Sequence, residues 1–319
     1  MLDFAMVLAA QERIKGRVHR TPLFSSRILS ERAGAMLNLK CECFQKTGSF
    51  KARGALNKVL TLSDEERASG LITVSAGNHA GAVAWAASQV DVPCVVVMPT
   101  DAPTSKIDAV QSYGAEVVTH PDRDTLFDKL AEERDARGMV FIHPFDDPAV
   151  LAGAGTTGLE ILEDLPEVDV VVVPVGGGGL LGGVATAVKS VAPDVRIVAV
   201  ELADGPGLQP ALDADEPVAV ARPQTLADGM TPPFVGKLPL EIAKVHVDQV
   251  TAVYEAELLE AMELLMTRCK VYVEASGAAT VAALLSGRIE VQPDRTVAAI
   301  VSGGNVDLAS ICATFSVTG

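Results

Sequence analysis

The sequence predicts an α/β fold built from two doubly wound, mostly parallel sheets with a cleft between them. Short, apolar, β-branched runs alternate along the chain with Ala- and Leu-rich stretches of helical pattern. Strands that are apolar over their whole length and are separated by helices are typical of parallel sheets covered on both faces. In addition, three segments rich in glycine or small polar residues each follow a predicted strand. Because ligands of such folds bind at the carboxyl ends of strands, these segments predict one shared cleft.

Six strands and several helices can be placed along the chain. The predicted strands are 71–74, 95–98, 116–118, 168–174, 196–200 and 297–301, and the predicted helices include 80–88, 104–113, 126–137 and 255–267. Residues 144–148, which begin and end with proline, are the candidate hinge. We therefore expect a small substrate-binding domain at 70–147 and a large cofactor-binding domain formed by 1–69 and 148–319.

Composition excludes several kinds of partner. The 319 residues carry 26 basic and 41 acidic side chains, and the net charge of −15 would repel nucleic acid. The longest apolar run, 170–175, is too short to span a membrane. The first twenty residues include Asp3, Glu12, Arg13 and Lys15, which interrupt any signal-peptide core. Five cysteines without zinc-type spacing are expected to be reduced thiols, so a cytoplasmic protein is predicted.

Lys51 is the candidate catalytic residue. It stands between Phe50 and Ala52, shortly after Thr47-Gly48 and just before a helical run. On type and spacing alone, a lysine is usually a solvated surface charge. The strand-end segments change this interpretation, because an amine, an anion-binding loop and polar partners for a ring are what a phosphorylated carbonyl cofactor needs.

A run of four glycines is the candidate anion-binding loop. It follows the strand at 168–174 and leads into a helix, and its members are Gly176, Gly177, Gly178 and Gly179, followed by Leu180. Backbone N–H groups at a helix start bind phosphate when no side chain obstructs them. Residues 177–182 also fit G-x-G-x-x-G, with Glu201 about twenty residues on, so a nicotinamide-dependent oxidoreductase is an alternative from another class, and a flexible turn is a third. Lys51 favours pyridoxal 5'-phosphate, since a dinucleotide site has no use for an amine.

Two further strand ends supply polar groups. The turn after 71–74 offers backbone N–H groups and small side chains for a substrate carboxylate, namely Ser75, Ala76, Gly77, Asn78 and His79. Ser302 ends the strand at 297–301 and is placed to meet a pyridine nitrogen. The alternatives without function are a core histidine for His79 and an ordinary turn serine for Ser302. The neighbouring Asn78 favours the functional interpretation.

Seven motifs in fixed order carry a resemblance that covers nearly the whole chain. They are Arg20-Thr21-Pro22-Leu23, Glu42-x-x-Gln45-x-Thr47-Gly48-Ser49-Phe50-Lys51-x-Arg53-Gly54-Ala55, Ser75-Ala76-Gly77-Asn78-His79, the four glycines, Ala227-Asp228-Gly229, Glu274-x-x-Gly277-Ala278 and Ser302-Gly303-Gly304-Asn305. The chain thereby resembles the β-family (fold type II) of pyridoxal-phosphate enzymes, which share the architecture of the tryptophan synthase β-subunit. Within it, the motifs resemble the branch of serine/threonine dehydratases and serine racemases.

The resemblance implies a role for each candidate residue. Lys51 would form the imine (Schiff base) with the cofactor aldehyde, Phe50 would pack near the ring and Asn78 would bond the ring hydroxyl. The four glycines with Leu180 would hold the phosphate, and Ser302 would face the ring nitrogen. A serine there does not enforce a protonated ring, which suits prompt loss of a β-substituent. Similar racemases carry a serine acid/base at the position of Ala76, and alanine cannot hold a proton, so elimination is favoured over racemisation.

A divalent cation is left open. Family members with a cation site have a glutamate followed by an aspartate six residues on. Here Glu201 is present, but Gly207 stands at the second position, with Asp204 nearby. Asp204 or a shifted loop would have to compensate for Gly207, so Glu201 is the one candidate metal ligand and the cation itself stays open.

The predicted function is that of a pyridoxal-phosphate-dependent ammonia-lyase (dehydratase). It would convert a β-hydroxy amino acid of the L-threonine or L-serine type to a 2-oxo acid and ammonia by β-elimination. The alternatives are a dehydratase specialised for 3-hydroxyaspartate or phenylserine, a serine or other amino-acid racemase, and the oxidoreductase above. The β-substituent pocket is expected from loops around 145–157 and 226–236. The expected partners are a small amino-acid substrate and a second copy in a homodimer, without nucleic acid or membrane.

Overall fold

The computed structural model describes residues 1–316. Within them the strands are β1 (Leu23–Ser25), β2 (Met36–Cys41), β3 (Leu71–Val74), β4 (Cys94–Pro99), β5 (Glu116–His120), β6 (Val140–Phe141), β7 (Val170–Pro174), β8 (Arg196–Leu202), β9 (Gln249–Val253) and β10 (Thr296–Val301). The helices are α1 (Phe4–Ile14), α2 (Arg27–Ala33), α3 (Lys51–Thr61), α4 (Asp64–Ala68), α5 (Asn78–Ser88), α6 (Thr104–Ser112), α7 (Leu126–Arg137), α8 (Pro148–Asp164), α9 (Gly179–Val191), α10 (Leu208–Ala214), α11 (Lys237–His246), α12 (Glu255–Thr267), α13 (Ala275–Leu285) and α14 (Leu308–Ser316). None of the helices in this range has the length and apolar character that a membrane span requires.

The strands form two sheets. The larger sheet has the order β1-β2-β10-β7-β8-β9 and is parallel except at one edge, where β1 runs antiparallel to β2. The smaller sheet has the order β5-β4-β3-β6 and is parallel throughout. The predicted fold of two mostly parallel sheets is therefore confirmed, and each strand that the apolar pattern predicts is present in one of them.

Alternate residues of the central strands enter separate cores. In β7, Val171 and Val173 face one apolar cluster, whereas Val170 and Val172 face another on the opposite side of the sheet. This alternation is the side-chain period of a strand, and here both faces are buried by helices. The continuous valine run of the sequence is thus explained by burial on both faces.

Three helices cross one another through glycine contacts. A Cβ at Gly153 of α8 would overlap the backbone oxygen of Arg53 in α3, and a Cβ at Gly183 of α9 would overlap the backbone oxygen of Leu151 in α8. The helices therefore approach backbone to backbone, which only glycine allows at these positions. As a result, α3, which begins at Lys51, is held firmly against α8 and, through it, against α9, which begins at the glycine run.

The division at residues 70 and 147 into a small and a large domain stays a prediction. All strands of the smaller sheet lie between 71 and 141, in agreement with it. However, α3, which the prediction assigns to the large domain, places Ala52, Leu56 and Val59 in the apolar core beneath the smaller sheet. Helix α3 therefore belongs to the core of the smaller sheet and also packs against α8, whose apolar residues lie in a core of the larger sheet.

Candidate active site

One cleft opens between the sheets, at the carboxyl ends of β3, β7 and β10. Its cavity has a volume of about 460 Å³. Its lining includes Phe50, Lys51, Ser75, Ala76, Gly77, Asn78, His79, Gly176, Gly177, Gly178, Gly179, Leu180 and Ser302. The structure therefore brings together the predicted cofactor- and substrate-binding residues, while the role of each toward a ligand stays a prediction.

Lys51 is the first residue of α3 and points into the cleft. Its Nζ donates a hydrogen bond to the backbone oxygen of Pro144, 2.7 Å away, and lies 5.1 Å from the centroid of the Phe50 ring. Burial lowers the pKa of the Lys51 amine from 10.5 to about 8. Desolvation disfavours the charged form, so a large share of this lysine is neutral near pH 8 and is a competent nucleophile and base.

The lowered pKa of Lys51 predicts a pH-dependent reactivity in the cofactor-free protein. Trace acetylation of Lys51, read by mass spectrometry of its peptide, is expected to rise through pH 8 and level off above it, because only the neutral amine reacts. In the urea-unfolded chain, acetylation of the same peptide should be half-maximal at about pH 10.4, because this is the ordinary pKa of lysine. Because the folded pKa lies below the unfolded one, this group adds to stability as the pH rises from 8 toward 10.5. Identical pH profiles of acetylation for the folded and unfolded chains would contradict the lowered pKa of Lys51.

The glycine run forms the start of α9. Gly178 occupies the N-cap position with φ +88°, a conformation that favours glycine, and no side chain caps the helix. The first-turn N–H groups of a helix have no partner within it, so these groups remain available to an anion in the cleft. A lysine amine and an uncapped glycine-rich helix start therefore border one cavity, which fits an aldehyde that carries a phosphate.

Gly177 is expected to be intolerant of a side chain. A Cβ there would overlap the ring of Phe145, itself buried. Overpacking of this kind costs about 1–3 kcal/mol and would displace the loop. We expect Gly177→Ala to weaken pyridoxal-phosphate binding at least about tenfold, measured by fluorescence titration of the cofactor-free protein.

Gly81 provides the matched control for Gly177. It lies in α5 with a negative φ, and a Cβ there would meet nothing within 4 Å. Gly81→Ala is expected to leave cofactor affinity unchanged and to stabilise the fold by about 0.4–1 kcal/mol, since alanine restricts the unfolded chain. Equal cofactor affinity in the two variants would show that the loop does not need its glycine.

The turn at the start of α5 presents backbone N–H groups to the same cleft. The Oγ of Ser75 accepts a hydrogen bond from the Gly77 N–H at 3.1 Å, and no side chain caps the helix at Asn78. The Nε2 of His79 lies 3.0 Å from the backbone oxygen of Ile142, so it carries the proton. Burial, followed by the charge of Lys51, lowers the pKa of His79 to about 3. His79 is therefore neutral, and it offers a carboxylate its backbone rather than a charged ring.

Asn78 is held by the carboxyl of Glu274, which precedes α13, and by the amide of Asn305, which follows β10. Its Nδ2 donates to Oε1 of Glu274 at 2.6 Å, and its Oδ1 accepts from Nδ2 of Asn305 at 2.7 Å. Burial, followed by the charge of Asp228, raises the pKa of Glu274 to about 7. Asn78 is thus fixed in orientation, with one amide hydrogen left for a ligand. Glu274 belongs to a sequence motif, but its type and spacing alone indicated no role for it.

Ser302 lies at the end of β10 as predicted. It is buried, and its Oγ is 3.5 Å from the backbone oxygen of Ser276. The Oγ of Ser276 in turn accepts a hydrogen bond from the Gly229 N–H at 3.1 Å. The floor of the cleft at Ser302 is therefore built from neutral hydroxyl and backbone groups.

Glu201 lies away from the cleft lining and serves another purpose. Its carboxylate accepts hydrogen bonds from the N–H groups of Gly207, Leu208 and Gln209, at 2.8, 2.7 and 3.3 Å, at the start of α10. Across residues 1–316, no group of three or more His, Cys, Asp or Glu side chains is arranged to hold a metal ion. The carboxylate of the candidate ligand is thus engaged by the start of α10.

The expectation that loops around 145–157 and 226–236 form the β-substituent pocket is partly wrong. Phe145 and residues 228–233 line the cleft as predicted, but α8 begins at Pro148, and residues 149–157 within it are buried in the core. The helix starts there because Asp147 caps it, accepting from the N–H groups of Ala149 and Val150, and Pro148 suits its first turn.

Three basic residues at the mouth of the cleft, Lys106, Arg123 and Arg222, were not predicted. Lys106 of α6 pairs with Asp228 across the opening, at 2.5 Å. Arg123 and Arg222, from two irregular segments, also line the cavity. A lone charge in a loop carries no periodicity, so the sequence held no signal that would bring these residues together.

Comparison with known proteins agrees with the motifs. A family model described as pyridoxal-phosphate dependent enzyme matches residues 14–303. L-threonine ammonia-lyase of Thermotoga maritima is 44% identical over 312 residues, which cover 98% of this chain and 77% of that protein. A serine racemase of Arabidopsis thaliana is 39% identical and covers 98% of this chain and 96% of its own length. The solved structure of a threonine deaminase from T.th. has a TM-score of 0.90 at 42% identity, over 96% of this chain and 99% of that one. The resemblance inferred from the motifs is thereby confirmed.

Proposed function

The chain belongs to the pyridoxal-phosphate dependent enzyme family, and from that premise we propose that it is an ammonia-lyase of L-threonine and L-serine. It would convert each to the corresponding 2-oxo acid and ammonia by β-elimination. Two relatives named for reactions on threonine, at 44% and 42% identity, support this substrate class. The observation that carries the proposal is that Lys51, an amine with lowered pKa, lines one cavity with the uncapped start of α9 and the turn at the start of α5.

Each part of the cleft contributes one step. Bound pyridoxal phosphate supplies an aldehyde that links to the substrate amine and a ring that withdraws electrons from its α-carbon. The N–H groups at the start of α9 hold the phosphate, and those of the turn at 75–79 hold the substrate carboxylate. Neutral Lys51 takes the proton from the α-carbon at its Nζ, which the Pro144 oxygen orients. Ser302 offers the ring nitrogen a hydroxyl without a negative charge, which favours departure of the β-hydroxyl over long-lived charge on the ring.

A racemase is the second candidate, favoured by the identity to the serine racemase. Returning a proton to the opposite face of the α-carbon requires a second acid in the cleft. Ala76 lines the cleft at the position where similar racemases carry a serine, and a methyl group cannot supply a proton. We therefore place elimination ahead of racemisation, and chiral analysis of unreacted serine separates the two.

The test is release of 2-oxo acid from a small panel. Purified protein with pyridoxal phosphate is incubated with L-serine, L-threonine, L-threo-3-hydroxyaspartate and L-phenylserine. Release from any member supports elimination and identifies the β-substituent that the cleft accepts. Absence of 2-oxo acid from all four, together with D-serine formed from L-serine, would replace the proposal with racemisation.

We further propose a cytoplasmic homodimer. The expectation that the five cysteines are reduced thiols supports the location, and the family resemblance supports the dimer. Light scattering of the purified protein measures the molecular mass and therefore tests the dimer directly. A mass near twice 33.2 kDa is expected, and a mass near 33.2 kDa would contradict it.

A further inference from the structure

Residues 143–147, which we call the strap, lie between β6 and α8 and contact two parts of the site. The backbone oxygen of Pro144 accepts the hydrogen bond from Nζ of Lys51 at 2.7 Å. The ring of Phe145 covers the glycine run so closely that a Cβ at Gly177 would overlap it. The strap therefore touches both groups that are proposed to hold the cofactor, the amine and the glycine run.

The imidazole of His143 holds the strap in its turn. Its Nδ1 accepts hydrogen bonds from the N–H groups of Phe145 and Asp146, at 3.2 and 2.9 Å. The ring also packs edge-on against the Phe145 ring, with the two centroids 4.8 Å apart. Phe145 is buried, so loss of this acceptor would leave a buried N–H group without a partner. Because Nδ1 accepts from two N–H groups, the proton of the neutral ring is on Nε2.

The groups that face His143 leave its ring neutral at pH 7. Burial lowers the pKa of His143 below its ordinary value of 6.5; the charges of Asp146 and Asp147 oppose this, and the charge of Lys51 adds to it. The two carboxylates accept hydrogen bonds from N–H groups at the starts of α11 and α8. His79, the neighbouring imidazole, is itself neutral at this pH. Nδ1 of His143 is therefore free of a proton and can serve as an acceptor.

We propose that His143 is a positioning residue of the cofactor site, because its neutral Nδ1 ties the strap against Lys51 and the glycine run. A protonated Nδ1 cannot accept a hydrogen bond, so acid releases both N–H groups of the strap at once. The folded pKa of His143 lies below the unfolded one, so the stability that its neutral ring contributes is complete above about pH 6.5 and is lost as the pH falls. The inference goes beyond the proposed function, since it concerns how the cofactor is held and not which substrate reacts.

Cofactor affinity of matched variants tests the inference without any substrate. His143→Asn places an amide oxygen where Nδ1 stands, so it keeps an acceptor for the strap and cannot be protonated. At pH 8 this variant should bind pyridoxal phosphate as the wild type does, in fluorescence titration of the cofactor-free protein. His143→Leu has no acceptor and should bind the cofactor at least about tenfold more weakly. Unchanged affinity in His143→Leu overturns the inference.

The pH dependence of the same affinity separates positioning from a purely structural role. Only the wild type can protonate residue 143, so its affinity relative to that of His143→Asn should fall at least about threefold between pH 8 and pH 5. Lys51 titrates in both proteins, so its own effect cancels in this comparison. Parallel profiles for the two proteins contradict the inference, and this comparison does not require His143→Leu to fold.

His246→Asn is the control for the pH experiment. His246 is the last residue of α11, lies outside the cleft lining and is another imidazole whose pKa burial lowers. Its replacement removes a titrating ring but leaves the strap intact. The pH profile of cofactor affinity should therefore be that of the wild type.

Hydrogen exchange locates the effect in the strap. With pyridoxal phosphate at saturation, the amides of Phe145 and Asp146 should exchange at least about tenfold faster in His143→Leu than in the wild type, and at the wild-type rate in His143→Asn. The rates are read by mass spectrometry of peptides that span the strap. Faster exchange throughout His143→Leu, without an excess in the strap, would indicate general destabilisation and would reject the positioning role.

Discussion

Replacement of Lys51 by alanine is expected to abolish turnover, with a loss of at least about 10⁴-fold in kcat, because it removes the base that accepts the α-proton. The same variant should no longer retain pyridoxal phosphate after borohydride treatment, since the amine that links to the aldehyde is absent. Both readouts follow from one atom, the Nζ that faces the cleft and contacts the Pro144 oxygen. Turnover is measured as 2-oxo acid release, and cofactor retention by mass spectrometry of the intact protein.

Lys46→Ala is the control for this experiment. Lys46 lies five positions earlier, outside the cleft lining, and has no side-chain hydrogen bond or ion pair within residues 1–316. It should retain both turnover and cofactor fixation. Sustained turnover in Lys51→Ala, or fixation of the cofactor to another lysine in the wild type, would refute the assignment of Lys51.

Arg53→Met is expected to cause the largest loss of stability, about 3–5 kcal/mol, because it removes the centre of a buried charge network. The Nε of Arg53 pairs with Oε2 of Glu42 at 2.8 Å, and its Nη1 pairs with Oε1 of Glu160 at 2.7 Å. The Arg53 and Glu42 side chains are 1% and 0% exposed, so Glu42 would remain buried without its ion-pair partner. Lys40 would still pair with Glu160, at 2.6 Å. The measurement is the midpoint of urea unfolding, with methionine retaining much of the side-chain volume.

An exposed arginine pair provides the comparison for Arg53. Arg137 bonds both carboxylate oxygens of Glu116, at 2.7 and 2.8 Å, but the pair lies at the surface. Arg137→Met should change stability by less than about 1 kcal/mol, since water screens and replaces such contacts. Similar urea midpoints for the two variants would mean that burial of the Arg53 network contributes nothing to the free energy of unfolding.

Much of the fold and the centre of the site could be predicted because local pattern and tertiary role coincide there. The valine run of β7 is apolar on both faces because both faces are buried, and the glycine run follows it because a helix must begin there with its backbone exposed to the cleft. Lys51 alone carried little information. Its role was indicated by the glycine-rich and polar segments that follow other strands, because a parallel sheet brings such segments together at one edge.

The remaining parts depend on contacts that no local pattern encodes. The edge strand β9 is only half-buried, so its residues lack the continuous apolar character of the central strands. From the sequence, a loop is expected around 145–157, but the glycines at the start of α8 lie inside a helix, where α3 and α9 pack against it. The raised pKa of Glu274 arises from burial and from the charge of Asp228. Arg123 and Arg222 line one cavity although they come from irregular segments far apart in the sequence.

The glycine crossings of α3, α8 and α9 have a mechanical consequence. Where helices touch through backbone alone, no side chain can change rotamer to let one slide over another, so the three helices behave as one rigid block. The two anchors proposed for the cofactor, Lys51 and the glycine run, stand at the ends of helices in that block. The turn that would receive the substrate follows β3 of the other sheet. The distance between the two anchors is therefore set by backbone contacts between helices and does not depend on side-chain rotamers.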